Sequence, residues 1–238
     1  MFQAKAHVFV DDLAAPGLTG DDHRHLSRVL RLAPGDEVTA ADGHGRWRPC
    51  RLTAGVELEP VGDTAADPRP EPTLTVAFAL VKGQRPELVV QKLTELGVDR
   101  IIPFVAARSV VRWDEAKSER NVQRLATIAR EAAMQSRRTW LPLVAPVADF
   151  AVVAALPGAA LADPSGKPLR LTTPTVLVGP EGGWSRSERN VALPVVRLGE
   201  HVLRAETAAL TAGALLGALR SGLVDPLFPP QVGDPHGP

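Results

Sequence analysis

The chain has 238 residues, 45% hydrophobic and 23% charged, with 27 basic residues balanced by 27 acidic ones. That composition fits a globular protein with apolar material for one large domain or two unequal ones. Zero formal charge argues against a protein that coats nucleic acid non-specifically, and a single cysteine, Cys50, excludes an intramolecular disulfide or a cysteine-rich zinc site.

Met1–Asp12 lacks the basic stretch and apolar run of a secretory leader. No apolar run reaches the length of a membrane span, Ala208–Leu219 included, so a cytoplasmic protein with no membrane partner is expected. The first third reads as short strands at His7–Val10, Glu37–Ala41, Trp47–Thr53 and Val56–Pro60. Turns are expected at Pro34-Gly35-Asp36 and Asp42–Gly45, and one helix at about Asp21–Arg31, which together predict a small β-barrel with an inserted helix. Asp67-Pro68-Arg69-Pro70-Glu71-Pro72 then breaks any helix or central strand. The expected division is 1–66 for the small domain, 67–73 for a linker, 74–228 for a larger domain and 229–238 for a disordered tail.

Beyond the break, strands alternate with helices, the mark of an α/β domain with a mainly parallel sheet. Leu74–Leu80 is an apolar strand, followed by a helix that Pro86 opens and Gly97 stops, with Val89, Leu93 and Leu96 on one face. Arg100–Val105 is the next strand. Glu119–Gln135 is a long amphipathic helix with Val122, Leu125, Ala129 and Ala132 inward, and Arg120, Arg124 and Arg130 on a solvated face. Ala159–Ala162, Thr175–Val178 and Val195–Leu198 are further strands, and Glu206–Arg220 is a closing helix.

Two segments of this domain could carry chemistry. In Thr175–Ser185 a buried strand runs into Gly179-Pro180-Glu181-Gly182-Gly183, followed by Ser185 and Glu188 at capping-box spacing. Glycines at a strand end let backbone groups approach a ligand, and ligands of open α/β sheets bind there. A tight structural turn is the alternative. The dinucleotide fingerprint and the phosphate loop are both absent. In Leu198–Ala208 a second strand ends in glycine and leads to Arg204 and Glu206 at a helix start, where the pair could be a plain ion pair favoured by the helix dipole.

Together with Lys82-Gly83, Gln91–Val98 and Glu131–Ser136, these segments resemble the RsmE family. Those are bacterial enzymes that methylate N3 of a uridine in 16S ribosomal RNA, within the SPOUT or trefoil-knot methyltransferases. The resemblance runs in order from about Val8 to Gly222, and His25–Leu32 with the Asp42-Gly43 turn looks like the family's PUA-like RNA-binding domain. This chain has Met134-Gln135-Ser136-Arg137-Arg138 where the family commonly has Glu-Gln-Ser-Gly-Arg, and Ala6–Val10 where it has Arg-Phe-Phe-Val.

The resemblance implies an α/β trefoil-knotted, mainly parallel sheet behind a small PUA-like β-barrel, a homodimer, and 16S ribosomal RNA or the small ribosomal subunit as partner. It implies S-adenosylmethionine held by Ala79, Leu80, Val178, Gly179, Pro180, Glu181, Gly182, Leu198, Gly199, Val202 and Leu203. No metal is required, and His23/His25 lack a metal-ligand spacing. Arg204 is the candidate for stabilising the charge that develops on uridine, with Glu206 either orienting it or accepting the proton. Cys50, far from these loops in sequence, speaks against C5 methylation through a cysteine adduct. The RNA-binding candidates are Arg24, Arg28, Arg31, Arg46, Arg48 and Arg51, with Trp47 available to stack. Lys82, Arg85, Arg108, Arg112, Arg137 and Arg138 extend that set towards the reaction centre. A knotted methyltransferase with another base or ribose target, and a non-catalytic RNA-binding assembly protein, are the rival readings.

Overall fold

The computed structural model describes residues 4–80, 85–111 and 113–224. The expectations for Lys82, Arg112 and the 229–238 tail therefore lie outside the described residues.

The N-terminal part is a five-stranded mixed sheet. Its strands are β1 (Ala6–Phe9), β2 (Glu37–Ala41), β3 (Arg46–Leu52), β4 (Leu58–Pro60) and β5 (Ala65–Ala66). β1 pairs parallel with β2, and the remaining pairs are antiparallel. The helix expected over Asp21–Arg31 is α1 (Gly20–Arg24) followed by a wider π-helical turn at His25–Val29. Thr19 caps α1 by accepting the Asp22 N–H at 3.1 Å. Leu26 drops from the wider turn into a core with Val8, Val38, Ala40, Cys50 and Leu52, so Cys50 is a small buried core residue.

The second part is a seven-stranded sheet whose pairs are all parallel. It contains β6 (Thr75–Ala79), β7 (Arg100–Val105), β8 (Leu143–Val144), β9 (Ala148–Asp149), β10 (Ala159–Pro168), β11 (Thr175–Val178) and β12 (Val195–Arg197). The helices are α2 (Arg85–Glu95), α3 (Glu115–Gln135), α4 (Phe150–Ala154), α5 (Arg186–Arg189) and α6 (Ala205–Arg220). Every residue of β6 is buried, because the sheet is covered on both faces. Val76 and Phe78 point to one core with Val89 and Leu93 of α2, Leu125 of α3 and Leu216 of α6. Ala77 and Ala79 point to the opposite one with Ile102, Phe104, Leu177 and Trp184.

The strand order β12-β10-β11-β6-β7-β8 explains where a site can form. After β11 the chain passes beyond β10 to place β12 at the sheet edge, then returns to lay α6 against β6, β11 and α2. Two connections, residues 179–194 and 198–204, thus start at the carboxyl ends of β11 and β12. This doubling back is the chain path that a trefoil knot requires. At the end of the return, Gly217 lets α6 close on α2, since a Cβ there would lie 2.6 Å from the Leu96 carbonyl oxygen.

Helix α3 bridges the two parts, and it corrects one expectation. Arg130 is not on a solvated face: its guanidinium grips Asp22 through two bonds of 2.9 and 2.7 Å. It also donates to the Phe9 carbonyl at 3.0 Å. Burial works to raise the Asp22 carboxyl, but Arg130 and Thr19 outweigh it and hold it below the usual carboxylate range. The linker is tied as well. Asp67 accepts from Trp47 Nε1 at 3.3 Å and from Thr139 Oγ1 at 2.7 Å, and its carbonyl accepts from Trp140 Nε1 at 3.1 Å.

Candidate functional site

A cavity of about 450 Å³ opens at the carboxyl ends of β10, β11 and β12, within the roughly 300–1,000 Å³ typical of small-molecule sites. Three walls converge on it: Ala162–Ser165 at the bulge in β10, Val178–Glu181 with Gly183 and Trp184 after β11, and residues of Leu198–Ala205 before and into α6. Two of the walls are parallel strands running out into loops, which is where an open α/β sheet exposes backbone groups to a ligand, and the third is the bulged stretch of β10.

Trp184 organises the first two walls. Its indole is 3% exposed and stacks on Phe104 at 6.2 Å between centroids with the rings 11° apart. Its Nε1–H donates to the Ala162 carbonyl at 3.0 Å. Gly179 lets the backbone pass close to this ring, since a Cβ there would lie 3.0 Å from the indole and press on it. The capping box follows directly. Ser185 Oγ accepts the Glu188 N–H at 3.2 Å, and Glu188 Oε2 accepts the Ser185 N–H at 2.8 Å. The other carboxylate oxygen, Oε1, accepts the Ala107 N–H at 2.8 Å, so buried Glu188 fixes the loop to the end of β7.

Of the expected cofactor residues, Val178, Gly179, Pro180, Glu181, Leu198, Gly199, Val202 and Leu203 line the cavity. Gly182 does not; its carbonyl accepts from Arg108 Nη1 at 2.9 Å. Ala79 and Leu80 are fully buried at the end of β6, one strand removed, and stand behind the cavity wall. The β10 wall was missed. Its signal was Asp163-Pro164-Ser165-Gly166 at a strand end, the pattern that marks the other two loops. Asp163 accepts from Ser165 Oγ at 2.7 Å and pairs with Arg189 at 3.0 Å. Burial works to raise that carboxyl, but the Ser165 bonds and Arg189 hold it below its ordinary range.

Arg204 is the N-cap residue of α6, in extended conformation, exposed, and without an ion pair among the described residues. Its neighbours Leu203 and Ala205 both line the cavity. Glu206 does not pair with Arg204. Its nearest cation among the described residues is Arg85, with Nη1 at 3.6 Å from Oε2, and that oxygen is buried without a hydrogen-bond partner among them. Arg85 Nη1 also lies 2.9 Å from Glu181 Oε1.

The expected RNA-binding arginines divide. Arg24, Arg28, Arg31, Arg46, Arg108 and Arg137 are exposed, as is Arg51. Arg24 and Arg46 reach Asp21 and Asp42 through largely exposed side chains. Arg138 and Arg48 leave the set. Arg138 donates to the Thr94 and Val98 carbonyls at 2.9 and 2.8 Å and pairs with Asp99 at 3.2 Å, a buried frame that Arg220 completes. Arg48 is spent on the carbonyls of Leu13 at 2.8 Å and Gly62 at 2.7 Å. Trp47 is half-buried and bonded to Asp67, so it is packed rather than offered for stacking. His7 is also internal: its ring sits against Phe9, and Nε2–H donates to the Arg138 carbonyl at 3.0 Å. Among the described residues no three His, Cys, Asp or Glu side chains converge as metal ligands do, and no helix is long and apolar enough to cross a membrane.

Residues 68–217 match the model of an RNA methyltransferase domain, and residues 18–57 match that of an RNA methyltransferase PUA domain. The chain is 31% identical over 240 residues to the ribosomal RNA small subunit methyltransferase E of Mycobacterium tuberculosis, covering 90% of this chain and 91% of that one. It is 29% identical to the enzyme of the same name from Bacillus subtilis, covering 85% and 90%. Among solved structures, it is similar to the Neisseria gonorrhoeae ribosomal RNA small subunit methyltransferase E bound to S-adenosylmethionine. That likeness has a TM-score of 0.74 and 28% identity over 90% of this chain and 97% of that one. A Legionella pneumophila methyltransferase in complex with the same molecule gives 0.76 and 26% over 89% and 96%.

Proposed function

The chain belongs to the ribosomal RNA small subunit methyltransferase E (RsmE) family, and from that premise we propose that it methylates N3 of a uridine in 16S ribosomal RNA, with S-adenosylmethionine as donor. The observation that carries this reading is the cavity where β10, β11 and β12 converge, with Arg204 at the helix cap between two of its lining residues, Leu203 and Ala205. The chain divides functionally into a PUA-like RNA-binding part at 1–66, a linker at 67–73 and a methyltransferase part at 74–228. It works as a cytoplasmic homodimer on the small subunit or its RNA.

The residues fit the donor. The cavity has the volume for a small molecule, its lining is largely apolar, and Gly179 presents bare backbone beside a fixed indole. Val178–Glu181, Ala162–Ser165 and Leu198–Leu203 would hold it. S-adenosylmethionine supplies, when bound, an electrophilic methyl group on a sulfonium.

The protein then has to position two partners and manage one proton. Uridine N3 carries a proton at neutral pH, and N3 gains nucleophilicity as that proton leaves. In this reading Arg204, exposed and without an ion pair among the described residues, stabilises the negative charge that spreads to O2 and O4. Glu206, which does not pair with Arg204, accepts the N3 proton. N3 lies on the Watson–Crick edge, so the uridine must be unpaired or extruded. Arg24, Arg28, Arg31, Arg46, Arg108 and Arg137 supply phosphate contacts.

The test is methyl transfer to small subunits lacking the modification, comparing wild type with Arg204→Ala at saturating RNA. This reading expects the variant to bind S-adenosylmethionine normally and to lose turnover at least a hundredfold. Near-normal turnover by the variant would remove Arg204 from the mechanism. A wild type that binds no S-adenosylmethionine would favour a non-catalytic assembly protein.

A further inference from the structure

Arg85 stands at the junction of three elements: the head of α2, the glycine loop after β11, and the head of α6. One nitrogen, Nη1, lies 2.9 Å from Glu181 Oε1 and 3.6 Å from Glu206 Oε2. Glu181 lines the cavity, while Glu206 is the acid to which the proposed function gives the uridine proton. The two acids would repel one another across this gap without the cation between them. Exposure separates their needs. Glu181 keeps 48% of its side chain in solvent, where water solvates its charge, whereas Glu206 keeps 16%. The Oε2 atom of Glu206 is closed off from solvent with no hydrogen-bond partner, which leaves Arg85 as its compensating charge among the described residues.

We propose that Arg85 is a positioning residue rather than an RNA contact: it fixes the Gly179–Gly183 loop relative to α6, so that the donor pocket and Glu206 keep one spacing. The donor's identity rests on the function proposed above. Arg85 shares its charge between two carboxylates, which weakens its pull on a phosphate. A lysine would carry the charge but not the planar fork, and should restore part of the effect.

Two measurements decide. S-adenosylmethionine is titrated calorimetrically, without RNA, into wild type, Arg85→Ala, Glu181→Gln and the double variant. The expected result is a loss of about three- to fivefold in each single variant, as befits a half-exposed pair, and no further loss in the double variant. Independent, additive losses or unchanged affinities overturn the proposal. Steady-state methylation is then followed for Arg85→Ala and Arg85→Lys, with circular dichroism confirming the fold of each. The proposal expects kcat to fall at least tenfold in Arg85→Ala and to recover in part in Arg85→Lys, with KM for RNA within twofold of wild type. A raised KM for RNA with a flatter salt dependence and intact kcat would make Arg85 a phosphate contact and overturn it. The calorimetric arm needs no turnover. A wild type that binds the donor but methylates nothing would therefore end the methyltransferase reading and leave this one measurable.

Discussion

The Trp184 indole donates to the Ala162 carbonyl at 3.0 Å, joining the ends of β10 and β11 on the floor of the cavity. That bond links a loop visible in the sequence to one that was not. Replacing Trp184 by Phe keeps a ring to stack on Phe104 but removes the donor and leaves a carbonyl unpaired. A loss of about 1–3 kcal/mol in urea unfolding is expected, together with several-fold weaker S-adenosylmethionine binding by calorimetry. Unchanged affinity would show that the two walls hold their spacing without the bond.

The Arg130–Asp22 grip makes a second expectation. Asp22 has 4% of its side chain exposed, so Arg130→Ala leaves a carboxylate with little water to replace its partner. The expected destabilisation is about 3 kcal/mol, read by chemical denaturation. Because the Asp22 carboxyl is held below its ordinary range, its contribution is present above about pH 4 and fades as acid protonates it. Arg130→Ala should therefore flatten the acid end of the stability profile, and an unchanged profile would show that the pair contributes nothing.

His7 predicts a separate pH window. Burial pushes its pKa from 6.5 down to about 4, against the Arg138 carbonyl that favours the protonated ring, and Arg137 lowers it further. The neutral ring is thus the folded form. Its stabilisation is complete above about pH 6.5 and is lost progressively towards pH 4, where the unfolded chain binds the extra proton. His7→Gln retains a donor for the Arg138 carbonyl without titrating. Denaturation midpoints of that variant should lose the slope between these limits, while a retained slope would point to other groups.

Arg137 sits at φ 58°, the left-handed residue after α3, where the Arg138 N–H reaches back to the Ala133 carbonyl at 2.9 Å. This is the helix stop that favours glycine. The family pattern has glycine at this place. Arg137→Gly should stabilise the fold by about 1 kcal/mol by relieving the left-handed strain, seen as a higher unfolding midpoint. A lower midpoint would mean that the arginine side chain makes up for the strain.

The sequence made both glycine loops legible, because Thr175–Val178 and Val195–Leu198 are apolar runs that end abruptly in glycine. β7 and β11 match their expected limits, since both are apolar strands with sharp breaks. The β10 wall was hidden because the strand continues past Ala162 through a bulge to Pro168, so its glycine, Gly166, lies inside the strand rather than just after it. The burial of Arg48, Arg130 and Arg138 was not legible either. Their partners are mostly carbonyls and acids dozens of residues away, and arginine in isolation reads as surface. The ion pairs of Arg85 were not legible for the same reason, since Glu181 and Glu206 meet it only after the chain doubles back.

Transfer of a methyl group to uridine N3, from a donor held where these three strands converge, is tested most directly by mass spectrometry of nucleosides digested from small-subunit RNA after incubation with this protein and S-adenosylmethionine. Wild type should yield 3-methyluridine, and Arg204→Ala none above background. Methylation of another base or of a ribose, or no methylated nucleoside at all, would contradict it.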